Sequence, residues 1–248
     1  MVNVSGVPSV PRAVVFDLGG TLVHWPDWET GPAWGKAYDA LALSELQRTR
    51  EEFIAAMRAA EQAHWRRVES ERTSGAPLDL VSDGLRRLAI DASDGFQLKV
   101  MDAYARAIAG WSVVFPDARE TLALLRERGY RLGLLSNTWW AADWHNADLA
   151  AHGLGGLLDE LVYTSDLPHS KPHPSVFGEV ATRLDVEAAE CVMIGDRQID
   201  DVSGAKGVGM RAIWRRNDSG FPTSDVAADA TVDALAELPA LLRSWGGR

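Results

Sequence analysis

The chain has a single cysteine, Cys191, in 248 residues, so no internal disulfide can form and the fold must rest on a packed core. That thiol sits inside the apolar run Cys191-Val-Met-Ile. It is therefore expected to be buried and inert, in a protein suited to a reducing cytoplasm. No stretch reaches the about 18 uninterrupted apolar residues of a membrane-spanning helix. The first dozen residues lack a basic segment and an apolar core, so no secretory signal is expected. Basic charge is also short: 25 Lys and Arg against 35 Asp and Glu leave a net charge of −10, which disfavours nucleic acid as a partner. Internal repeats and low-complexity tracts are lacking. What remains is 46% hydrophobic residues, enough to bury the core of one large domain or two smaller ones.

The informative residues stand at the ends of apolar runs. Ala13-Val-Val-Phe16 ends in Asp17 and turns through Leu18-Gly19-Gly20-Thr21; Arg131-Leu-Gly-Leu-Leu135 ends in Ser136-Asn137-Thr138; Cys191-Val-Met-Ile194 ends in Gly195-Asp196 and continues to Asp200, Asp201 and Gly204. Short apolar runs alternating with helix-like segments from residue 112 onward predict an α/β fold with parallel strands. Open sheets of that kind place their chemistry at the carboxyl ends of strands. Ser170-Lys171-Pro172 adds a lysine on a proline-stiffened loop before the third such end. Taken alone, Asp17 reads equally as a helix cap beside two turn glycines.

Asp17-Leu-Gly-Gly-Thr21-Leu, Leu135-Ser136-Asn137, Lys171-Pro172-His-Pro174 and Gly195-Asp196 through Asp201 to Gly204-Ala205 resemble, in order, the four motifs of the haloacid dehalogenase superfamily. The resemblance implies a Rossmann-like three-layer core with a parallel sheet, formed by residues 12–22 and 112–248, and an inserted all-helical cap of the type-1 kind over 23–111. It implies Mg²⁺ held by Asp17, Asp196 and the Gly19 carbonyl, with Asp201 in support. That assignment suits the chemistry, because converging carboxylates need a cation and an all-oxygen set favours a hard one. It further implies Asp17 as nucleophile on a phosphoryl group, Lys171 as neutralising charge, and Ser136, Asn137 and backbone amides at Leu18 and Gly20 as holders of the phosphate. The expected protein is thus a Mg²⁺-dependent phosphatase of a small organic phosphate, as a monomer or homodimer with no nucleic-acid or membrane partner. Asp200 reads as a solvated or helix-capping residue.

One departure stands out. Phosphatases of the family usually carry a second Asp two residues after the nucleophile, as the acid and base of the reaction; here that position is Gly19. A good leaving group, a substitute acid among His24, Asp27 and His173, or different chemistry are the alternatives. Carbon–halogen cleavage is disfavoured by the full acidic fourth motif. Phosphonate cleavage would need a cap lysine, and Lys36, the only lysine between Leu22 and Lys99, reads as a solvated helix residue. A catalytically weak binding protein is the alternative from another class.

Within the cap, apolar spacing through Phe53, Ile54, Met57, Ala60 and His64 predicts a long amphipathic helix over 51–72, followed by helices over 79–89 and 94–109. Ten tryptophans are unusual for this length. Most are expected in the core, but Trp25 and Trp28 follow the first motif and Trp139 and Trp140 the second. Trp25 or Trp28 with Trp139 or Trp140 is expected to line an apolar cleft that favours an aromatic or hydrophobic leaving group.

Overall fold

The computed structural model describes residues 10–26, 29–41, 48–217 and 220–247. Six strands form one parallel sheet: β1 (Ala13–Phe16), β4 (Arg131–Ser136), β5 (Glu160–Tyr163), β6 (Cys191–Gly195), β7 (Arg211–Arg215) and β8 (Ala230–Val232). Their order is β5-β4-β1-β6-β7-β8, with Val14 beside Leu132 on one side and Val192 on the other. β1 is buried along its whole length, because helices cover both faces. Val14 and Phe16 pack with Leu122, Leu125, Leu132 and Leu134 on one face. Ala13 and Val15 pack with Val176, Phe177, Val180 and Met193 on the other. The period of two along each strand therefore sorts one apolar run into two cores. Cys191 is buried in the second, and burial with nearby Glu190 pushes its thiol up to about 12.

The helices on the sheet are α5 (Ala118–Glu127), α6 (Ala142–Ala151), α7 (Pro174–Arg183), the single turn α8 (Gly204–Gly207) and α9 (Leu238–Ser244). A 3₁₀ turn at Leu235–Glu237 precedes α9, whose first turn carries Pro239. From β1 the chain passes up one sheet edge through β4 and β5, then returns to the far side of β1 for β6, β7 and β8. The reversal puts the carboxyl ends of β1 and β6 at a switch point, where an open sheet leaves a crevice.

Between β1 and α5 lies a helical insertion: α1 (Thr30–Ala40), α2 (Arg50–Glu71), α3 (Pro77–Arg87) and α4 (Asp94–Ile108). The two chain crossings into it are tied by a short antiparallel pair, β2 (Val23–His24) with β3 (Val113–Val114). α2 starts at a reciprocal capping box between Thr49 and Glu52 and buries Phe53, Met57, Ala60 and His64 on the expected face. For α1 the sequence marks only a helical position at Lys36 and no bounds, because Gly31, Pro32 and Gly35 weaken its propensity. It forms by burying Ala33, Trp34 and Ala37 against α2 and α4. Among the described residues no helix is long and apolar enough to cross a membrane.

The insertion's core does not end at its own boundary. Trp139 and Trp140, which follow β4, pack within it beside Trp34 and Tyr104; the Trp34 and Trp139 rings lie parallel, with centroids 6.1 Å apart. The turn after α2 adds backbone hydrogen bonds to the sheet domain, Ser74 N–H to Pro168 O and Ser170 N–H to Arg72 O, each 3.0 Å. The Ser74 hydroxyl also donates to the Thr164 carbonyl.

Candidate active site

Asp17, Ser136 and Asp196 emerge from the ends of adjacent strands β1, β4 and β6, and the loop before α7 swings Lys171 between them. Lys171 is only 2% exposed, and its ammonium donates to Asp17 Oδ1 (2.6 Å), Asp201 Oδ1 (2.7 Å) and the Leu135 carbonyl (2.8 Å). All three of its protons are used. Burial alone would lower the ammonium's pKa, but Asp17 and Asp201 outweigh it and hold it above the usual lysine range.

Asn137 fixes that loop. Its side-chain amide donates to the Lys171 carbonyl (3.0 Å) and its amide oxygen accepts from the Lys171 N–H (2.8 Å). Expected as a phosphate holder, Asn137 has both polar atoms engaged in placing Lys171. Ser136 is buried at the strand end and lines the cavity described below.

Three buried carboxylates, Asp17, Asp196 and Asp201, bring ligand-capable oxygens within 4.8 Å of one another. Lys171 supplies one positive charge to this group. Asp201 is satisfied by protein: Oδ1 accepts from Lys171 and Oδ2 from the Arg197 N–H (2.9 Å). Asp196 is satisfied on one side only. Its Oδ2 accepts from the Asn217 amide (2.6 Å), whereas Oδ1 is buried with no hydrogen-bond partner. Burial, against the opposing attraction of Lys171, raises Asp17 to about 7. Asp196 is raised by burial and by Asp201. A buried acceptor without a donor, inside an excess of negative charge, fits a divalent cation held by oxygen.

The Gly19-Gly20 turn is shaped by this cluster. Gly20 has φ +81°, and a Cβ there would run into the Asp196 carboxylate, so both conformation and space require glycine. Arg215, lying over the Phe115 ring at 3.8 Å, clamps the Gly20 carbonyl from behind (2.7 Å). Arg197 pairs with Asp200 at 3.3 Å and lies over Phe221, so Asp200, read from sequence as solvated or capping, serves an ion pair at the rim.

A cavity of about 630 Å³ opens above Asp17. Its floor includes Gly19, Ser136 and Lys171, and its walls are aromatic: Trp25, Trp65, Phe115, Trp139, Trp140 and Phe221. The insertion contributes Trp65 and Glu69, one turn apart on α2. Of the substitute acids considered from sequence, His24 lines the cavity, whereas His173 caps α7 on the surface, stacked on His169. Asp27 and Trp28 lie outside the described residues. His145 also reaches the cavity, but burial lowers it to about 3 and it stays neutral, bonded to Thr138 and stacked between Trp140 and Tyr163. Lys36 is exposed on α1, as expected. Asn217, Arg197, Trp65 and Glu69 were missed by sequence reasoning; no local signal marks a loop residue after β7 or selects one helix face over another.

A doubly wound parallel sheet with an inserted helical layer thus brings a buried Asp-Lys-Asp cluster to its switch point. Residues 11–209 match the haloacid dehalogenase-like hydrolase family, and the chain belongs to it. The glyceraldehyde 3-phosphate phosphatase of Pyrococcus abyssi is 30% identical over 130 residues, 52% of this chain and 54% of that protein; the chain thus spans about half the length of that relative. Hexitol phosphatase B of Escherichia coli K12 is 29% identical over 94% of this chain and 97% of its own. Among solved structures, a 2-haloacid dehalogenase from Pseudomonas syringae pv. Tomato DC3000 superposes with a TM-score of 0.68 at 25% identity, covering 95% of this chain and 99% of that one.

Proposed function

We propose that the protein is a Mg²⁺-dependent phosphatase that hydrolyses a small organic phosphate through a phosphoryl group carried on Asp17. The observation that carries this reading is the unpartnered Asp196 Oδ1 beside two further buried carboxylates, Asp17 and Asp201, and one ammonium. Asp17, Asp196 and the Gly19 carbonyl would hold the ion, with Asp201 behind them. When bound, Mg²⁺ supplies the positive charge that the cluster lacks and that a phosphoryl dianion requires.

Lys171 pins Asp17 at Oδ1 and so aims the carboxylate; it opposes the burial that raises Asp17 to about 7, and a bound cation would further favour the ionised form. An Asp17 oxygen bonds to phosphorus as the phosphorus–ester oxygen bond breaks, and the departing oxygen takes a proton from solvent. Water then attacks phosphorus, the bond to Asp17 breaks, and inorganic phosphate leaves with the carboxylate restored. Ser136 and the amides of Leu18 and Gly19 are the groups placed to hold the phosphoryl oxygens; the Gly20 N–H, expected from sequence in the same role, donates instead to the Val23 carbonyl (2.7 Å) and closes the turn. Several relatives bear phosphatase names, which supports this reading over carbon–halogen cleavage, as does an acidic cluster that needs a cation. The single buried thiol supports a reducing compartment such as the cytoplasm.

Acid-quenching the enzyme during turnover of acetyl phosphate and mapping the adduct by mass spectrometry tests the proposal. A phosphoryl group on the peptide containing Asp17 is expected. Steady phosphate release with the adduct on another residue would overturn it.

A further inference from the structure

Gly19 does not owe its identity to the backbone. Unlike Gly20 it has no positive φ, yet a Cβ built on it would lie 2.6 Å from Trp25 Cζ3 and 3.3 Å from Cη2. Nothing larger than hydrogen fits there unless the indole moves. Trp25 is itself fixed by neighbours: it meets Trp140 edge-on, with centroids 5.9 Å apart and planes at 84°, and packs against both the sheet core and the core of the helical insertion. Its benzene ring thus fills the space that a residue-19 side chain would take, in the wall of the cavity next to Asp17.

The same cavity separates two kinds of tryptophan. Trp139 is 2% exposed and spends its surface on Trp34 and Tyr104. Trp25 and Trp65 are only partly buried and present ring surface to the cavity from the crossing after β2 and from α2. Glu69, one turn beyond Trp65, adds a carboxylate at the outer wall. Arg197, the cation at the rim, is already engaged by Asp200 and Phe221. A substrate held at Asp17 by its phosphate thus extends its remaining part onto ring surface. A second anionic group on that part would meet Glu69.

Resting on the phosphatase reading, we propose that Trp25, seated on Gly19, is the platform for the leaving group, and that the preferred substrate class is aryl monophosphates without a second negative charge. Stacking on an indole discriminates between a planar ring and a flexible alkyl chain. Gly19 acts through Trp25: it is the residue that permits the platform.

The test is a double-mutant cycle with Trp25→Ala and Gly19→Ala, read as kcat/KM for phenyl phosphate and for acetyl phosphate, which offers phosphorus without a ring. Trp25→Ala is expected to lower the phenyl/acetyl ratio at least tenfold, and Trp25→Phe to restore most of it. Gly19→Ala is expected to lower that ratio by a similar factor with Trp25 present and by less than threefold in the Trp25→Ala background. A ratio unchanged by Trp25→Ala, or an equal effect of Gly19→Ala in both backgrounds, would overturn the inference and leave the phosphatase reading intact. If wild type releases no phosphate from either compound, both fail together. Circular dichroism melting of each variant identifies loss of fold, and the ratio within one preparation is independent of its active fraction.

Discussion

Asp196 has two carboxylate oxygens in unequal surroundings, one held by Asn217 and one buried without a donor. Asn217 therefore turns Asp196 so that a single oxygen faces the cluster, and groups that orient a ligand commonly change metal affinity by about 10–100-fold. Asn217→Ala is expected to weaken Mg²⁺ binding at least about tenfold in isothermal titration calorimetry; unchanged affinity would remove this role. Glu61 offers a second prediction away from the site. It is buried in the helical insertion, with Thr30 donating at 2.5 Å. Burial raises it to about 7 from an ordinary 4.5. Between those values the folded chain keeps a proton that the unfolded chain releases, so stability from this group falls as pH rises through that window. In denaturant unfolding at each pH, Glu61→Gln should gain stability relative to wild type from about pH 5 to about pH 8, by up to about 3 kcal/mol. A gain that shrinks over that range would contradict the assignment. At this scale the sequence was legible where chemistry is local: Asp17, Lys171, Asp196 and Asp201 stand at strand ends or in a short motif and do converge. Asn217 and Glu61 were illegible because their importance comes from partners far along the chain, at separations of 21 and 31 residues.

The helical insertion shows how an element acquires a role its sequence does not display. Trp139 and Trp140 follow β4 and were expected to line a cleft. They do border the cavity, but they also complete the core of α1–α4, so the insertion is held over the site by tryptophans that the sheet domain supplies. Trp139→Ala is expected to cost about 3–5 kcal/mol of stability in denaturant unfolding, and a loss below about 1 kcal/mol would show that the ring is not structural. The amphipathic helices were readable because their apolar period is strong. α1 was readable only at Lys36 and without bounds, because its glycines and proline oppose helix formation and packing around Trp34 overrides them. The β2–β3 pair escaped notice for a different reason: two residues per strand are too few to show a period.

The whole molecule joins a sheet whose order reverses beside β1, a helical layer over the opening, and buried negative charge that protein groups only partly balance. The parallel sheet and the insertion after the first motif were legible because strand ends and motifs coincide. The cavity's aromatic walls were legible in part: Trp25, Trp139 and Trp140 were expected beside the site, whereas Trp65 and Phe221 come from distant segments that only the closed fold brings together. Binding a cation to the folded chain alone must stabilise it. Mg²⁺ should therefore raise the melting temperature of wild type and do so much less for Asp196→Asn; equal shifts would place the ion elsewhere. The most direct measurement is release of inorganic phosphate from para-nitrophenyl phosphate, with and without Mg²⁺, by wild type and Asp17→Asn. The account predicts release that needs the metal and falls to background in the variant. Release that persists in Asp17→Asn, or that is indifferent to Mg²⁺, would contradict it.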